Sequence, residues 1–104
     1  MTDSTNEQRP QFLDSLGKLC KQGKDISNYL FQVPDDEGER EKLGRILDEI
    51  LADDTVASRN EFPKLCNDLK EVLEQEASPK NAEMLQAGFD RMTRLWQAAR
   101  SGMY

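Results

Sequence analysis

Residues 43–51, Leu43-Gly44-Arg45-Ile46-Leu47-Asp48-Glu49-Ile50-Leu51, set apolar side chains at i, i+3, i+4, i+7 and i+8 without exception. That spacing fits one face of an α-helix and no strand. The opposite face carries Glu39, Glu41, Lys42, Arg45, Asp48 and Glu49. A helix with one apolar stripe must bury it against neighbours, so this stretch predicts a packed all-α domain. Asp36, three residues before Glu39, has the spacing of a capping box, although Ser or Thr is the usual cap. The predicted helix spans about Glu37 to Ala52.

Working outward, three more segments show the same period. Upstream, Phe12, Leu16, Leu19, Gly23, Ile26 and Leu30 alternate steps of four and three, a heptad-like seam broadened by Leu13 and Cys20. It predicts one helix from about Pro10 to Phe31, with Pro10 in the first turn and Val33-Pro34 as the stop. Gly23 sits on the seam and marks either a close helix approach or a division into two helices; one helix is the reading adopted. Downstream, Phe62, Leu65, Cys66, Leu69, Val72 and Leu73 form the stripe of a third helix that starts near Ser58 to Asn60. Ser58 and Glu61 have capping-box spacing, and Pro63 falls in the first turn. Ser78-Pro79 then reads as N-cap and N1 proline of a fourth helix reaching about Arg100, with Gly102 as terminator. Its seam is Ala82, Leu85, Phe89, Met92, Trp96 and Ala99. Val and Ile contribute three residues each, and no stretch alternates with period 2. Four helices with short connections imply an antiparallel, up-down-up-down four-helix bundle over residues 10–101. Residues 1–9 are expected to be a flexible segment.

The chain has 104 residues, enough for one domain, with 14 Lys+Arg against 20 Asp+Glu and a net charge of -6. It has no histidine. That removes His acid–base catalysis, Ser-His and Cys-His pairs, imidazole zinc sites and the Glu-x-x-His route to a di-iron bundle. Cys20 and Cys66 are far apart in sequence, outside any CxxC, and both lie on core faces; they read as buried, unreactive thiols in a reducing compartment. Net acidity argues against nucleic acid as a partner. Met1 to Glu7 is polar and the longest apolar runs are two or three residues, so a cytoplasmic protein without a membrane span is expected. Asp35-Asp36-Glu37-Gly38-Glu39 lacks the ligand alternation of a calcium loop. No enzyme activity, metal or cofactor is expected.

Charge and glycine placement are the positive signals. Residues 34–54 hold nine acidic and three basic side chains, whereas the chain from Ser78 onward has a net +2. Gly17, Gly23, Gly44 and Gly88 lie inside predicted helices, where each costs about 1 kcal/mol relative to Ala. Close packing accounts for such glycines in general. Gly44 differs, because it adjoins the charged face of the second helix and can keep a surface open for a partner.

The stretch Leu43 to Ala52 resembles the phosphoacceptor helix of the histidine-containing phosphotransfer domain found in chemotaxis-type histidine kinases. That helix reads approximately L-F-R-A-A-H-T-L-K-G. Leu43 and Arg45 match it, as do Ile46, Leu47 and Ile50 in apolar character. The third-helix stripe and the Met84-Leu85, Phe89-Asp90-Arg91-Met92 pieces of the last helix resemble the rest of that bundle, over roughly residues 10–100. The departures fall on the chemistry: Asp48 stands at the phosphorylatable histidine, Leu51 at the motif Lys and Ala52 at the motif Gly. The resemblance therefore implies the fold and a docking surface without phosphotransfer. Its partner would be a response-regulator receiver or a kinase domain, contacted through Gly44, Arg45, Asp48 and Glu49, with some apolar residues exposed beside Asp48. The alternative is a structural or self-associating bundle, a homodimer in which the first- and last-helix seams continue into a second subunit.

Overall fold

The helix starts at Glu37 and Pro79 and the helix end at Leu51 each answer to a local hydrogen-bonding cause. A computed structural model of the chain describes residues 4–53 and 61–100, with side chains from Asp14 onward. It contains α1 (Ser4–Gln32), α2 (Glu37–Leu51), α3 (Glu61–Glu74) and α4 (Pro79–Arg100). No strand occurs among the described residues. Asp36 caps α2 as expected: its Oδ1 accepts from the Glu39 amide at 3.1 Å. The Glu39 carboxylate turns to Lys42 at 2.9 Å. At the other end, the Ala52 amide donates to the Asp48 carbonyl at 2.9 Å. Ser78 caps α4, its Oγ accepting from the Asn81 amide at 3.1 Å. Asn81 is buried and satisfied, because its Oδ1 accepts from Ser78 Oγ and its Nδ2 donates to Gln75 Oε1. The expected caps between Ser58 and Asn60, and the Gly102 terminator, lie outside the described residues.

One boundary differs. α1 begins at Ser4, six residues ahead of Pro10, so the proline sits within the helix and not at its start. Proline favours the first turn because it lacks an N–H, yet it costs one i→i−4 bond when the helix extends past it. The run Ser4-Thr5-Asn6 supplies residue types that favour helix entry, an earlier start than the one Pro10 marks. The helix is continuous through Gly23, as read from the seam.

The four helices form a closed ring in which α1 touches α2 and α4, and α3 touches α2 and α4. Side-chain pairs fix the directions. Lys24 meets Asp90 and Asn28 meets Gln86, so rising numbers on α1 face falling numbers on α4. Arg40 reaches the Gln75 carbonyl while Asp48 meets Lys70, which makes α2 and α3 antiparallel. Glu61 with Arg91 and Gln75 with Asn81 do the same for α3 and α4. The result is the expected up-down-up-down four-helix bundle, 51 × 23 × 20 Å. α1 is nearly twice as long as α2 or α3, about 44 Å for its 29 residues, and sets the long dimension.

The core is built from the predicted stripes. Leu43, Ile46, Leu47 and Ile50 of α2 are buried, and Leu51 packs against the cluster from its edge. The seams of α1 and α4 meet each other inside one bundle. Leu16, Cys20 and Leu30 are buried from one side and Leu85, Phe89 and Met92 from the other. Three glycines let helices approach closely. A Cβ at Gly17 would overlap the Trp96 indole, one at Gly23 the Phe89 ring, and one at Gly88 the Leu69 side chain.

Candidate docking surface on α2

The four residues singled out on α2 divide between its two edges. Gly44 and Asp48, one turn apart, face α3; Arg45 and Glu49, also one turn apart, face α1. On the α3 side they line an open groove of about 690 Å³ that runs from the α1–α2 turn to Lys70. On the α1 side Arg45 and Glu49 border a groove of about 440 Å³ above Ile26 and Ile46. All four therefore belong to one continuous outer arc of α2, with a concavity at each border.

Of the four helix glycines singled out in the sequence, Gly44 alone has no packing reason. An added Cβ would meet only Leu73 Cδ1 at 3.9 Å, an ordinary van der Waals contact. Its bare backbone and the half-buried Leu73 form the apolar floor of the α2–α3 groove. The glycine distinction drawn from sequence thus acquires a geometry: three glycines admit core side chains, and the fourth lines an open groove.

The rim of the groove is acidic. Asp35, Glu37, Glu41, Asp48, Glu74 and Glu76 line it against two cations, Arg40 and Lys70. Lys70 donates to Asp48 Oδ1 at 2.6 Å, and that hydrogen bond holds the ammonium pKa above its usual value. Arg40 is turned to backbone: it donates to the carbonyls of Leu73 at 2.9 Å, Gln75 at 3.0 Å and Pro34 at 3.4 Å. It thereby caps the C-terminal end of α3 and ties the α1–α2 turn to it. The expected site lay on α2 alone; α3 supplies the second wall. One sequence signal pointed to α3: its end, Glu71, Glu74 and Glu76, is acidic with no basic residue in the last turn, opposite to what the macrodipole favours.

One expectation is corrected. The large exposed apolar side chains among the described residues are Tyr29 (42%), Phe31 (44%), Val33 (37%) and Met84 (45%), and none of them stands beside Asp48. The apolar neighbours of Asp48 on α2 are turned inward by the unbroken 3.6-residue stripe that builds the core. Tyr29, Phe31 and Val33 face outward at the end of α1, whose Leu30 is fully buried between them.

The remaining reactive groups are quiet. Cys20 and Cys66 are free and buried, and desolvation pushes both thiols up to about 12. They sit on diagonal helices; no Cα of α1 comes within 8 Å of a Cα of α3, too far for a disulfide without backbone movement. Among the described residues no three His, Cys, Asp or Glu side chains converge as a metal-ligand set. Nor is any described helix long and apolar enough to cross a membrane. No family model, curated protein or solved structure matches this chain.

Proposed function

We propose that the chain is a non-catalytic interaction module that docks a protein partner on the outer arc of α2. The observation that carries this reading is Gly44, a helix-interior glycine kept where the bundle has room for a side chain and opening onto a groove. On the resemblance to phosphotransfer domains, the partner is a response-regulator receiver or a kinase domain. Two features support that choice: the up-down-up-down order, and the exposed position of Asp48 in the last turn of α2, the residue that the resemblance sets at the phosphoacceptor. A carboxylate held by Lys70 offers a fixed charge there and no phosphorylatable nitrogen. The reading places the protein in the cytoplasm, a reducing compartment in which two free thiols persist. Burial of the α1 and α4 seams within one bundle weighs against a homodimer built on them.

Calorimetric titration of receiver domains encoded near this gene tests the proposal, with Asp48→Arg as the comparison. Binding to at least one receiver, weakened tenfold or more by the substitution, is expected. Absence of binding to every such receiver overturns the two-component assignment.

A further inference from the structure

The α2–α3 groove specifies its occupant more closely than the outer arc does. Its floor is apolar, Gly44 beside Leu73, while its rim is a ring of carboxylates. Glu37, Glu41 and Glu76 form no salt bridge among the described residues. The C-terminal end of α3 adds the negative pole of its helix dipole to the same wall. On other faces several carboxylates are paired across or along helices, as in Lys24–Asp90, Lys64–Asp68 and Arg91–Glu61. The lining from Glu37 to Asp48 spans about three helical turns, roughly 16 Å. We infer that this groove seats a cationic amphipathic segment of a partner protein, one apolar side chain resting on Gly44 and Leu73 and flanking Lys or Arg side chains meeting the carboxylate rim. The inference rests on the interaction-module reading and is independent of the two-component link.

A fluorescein-labelled 12-residue helical peptide carrying one central leucine flanked by lysines, titrated by fluorescence anisotropy, tests it. Three variants separate specific seating from general attraction to an acidic protein. Glu41→Lys with Glu74→Lys reverses charge on both groove walls. Asp14→Lys with Glu83→Lys makes the same charge change at exposed positions away from the groove. Gly44→Leu leaves charge unaltered and fills the floor, in a helix that has space for it. Expected are a tenfold or greater loss for the groove pair, a similar loss for Gly44→Leu, and less than a twofold change for the distal pair. Equal losses from the two charge pairs, or full binding by Gly44→Leu, overturn the inference. So does a homodimer abolished by Gly44→Leu in sedimentation equilibrium, which would assign the groove to a second copy. Groove-dependent peptide binding without any receiver binding removes only the two-component partner. Receiver binding sensitive to Asp48→Arg alongside groove-independent peptide binding removes only this inference.

Discussion

Replacing each helix-interior glycine by alanine should produce opposite signs of stability change within one protein. At Gly44 the new methyl lies 3.9 Å from Leu73 Cδ1 and touches nothing closer. The substitution then acts through helix propensity alone, which favours Ala over Gly by about 1 kcal/mol. For a domain of this size that raises Tm by roughly 4–8 °C. At Gly23 the same methyl enters the Phe89 ring, which is fully buried and flat, with no flexible end to swing aside. Overpacking of this kind costs about 1–3 kcal/mol, and for a rigid buried ring it exceeds the propensity gain, so a net loss of up to about 2 kcal/mol is expected. Gly88→Ala and Gly17→Ala should fall between, because Leu69 can change rotamer and the half-buried Trp96 can tilt toward solvent. Urea denaturation followed by circular dichroism, fitted with a common m value, gives the four differences. A destabilised Gly44→Ala would mean that the α2–α3 groove is packed and not open. That result would refute the assignment of Gly44 to a docking surface, whatever the other three variants do.

Four further outcomes follow from particular contacts. Arg40→Ala removes the charged donor from the Leu73 and Gln75 carbonyls and should lower stability by about 1–3 kcal/mol in the same urea assay, with Arg40→Lys rescuing little because an ammonium does not reproduce the planar fork. Raised thiol pKa values mean that the native state keeps protons the unfolded state releases, so stability is complete below pH 9.0 and falls as pH rises toward about 12; each thiol contributes a slope of about 1.4 kcal/mol per pH unit, which Cys20→Ala with Cys66→Ala should abolish. The Asp36 carboxyl is held low first by the Tyr29 hydroxyl and then by the Glu39 amide; its stabilising effect is present above the ordinary carboxylate range and lost as pH falls through the lowered value, so wild type and Asp36→Ala should converge in thermal melts at strongly acidic pH. Asp48→Arg breaks an exposed ion pair with Lys70 and should leave the urea midpoint nearly unchanged, which makes it a clean probe of binding.

Much of the bundle was legible because its signals are local. The stripe from Leu43 to Leu51 fixes which face of α2 is buried, and Asp36 and Ser78 announce helix starts through side-chain acceptors that the first-turn amides need. The α1 start was misplaced because Pro10 marks a local helix start, whereas the helix extends ahead of it to Ser4. Half of the groove was hidden for a different reason. The Arg40 contacts with Leu73 and Gln75 span 33 and 35 residues, and the Asp48–Lys70 pair spans 22; no periodicity encodes such long-range partners. What the sequence did carry was a local inconsistency, a glycine in a strong helix and an acidic helix end without a compensating base. Both mark the groove once the helices are placed beside each other.

That coincidence bears on function more than any single residue does. Gly44 weakens α2, the end of α3 opposes its own dipole, and several carboxylates stand together unpaired; each of these lowers the stability of the free bundle. A surface selected only for folding would spread such costs or remove them, as the cross-helix pairs Lys24–Asp90 and Arg91–Glu61 do on other faces. Arg40 offsets part of the strain by binding the exposed carbonyls of α3, but it turns its guanidinium away from the carboxylates and leaves the rim acidic. Local destabilisation concentrated at one concave site fits the proposed docking role, because a ligand that favours the folded state restores stability by mass action. A cationic segment is the occupant that would relieve all three costs together: it covers the bare backbone at Gly44, neutralises the carboxylates and complements the negative pole of α3.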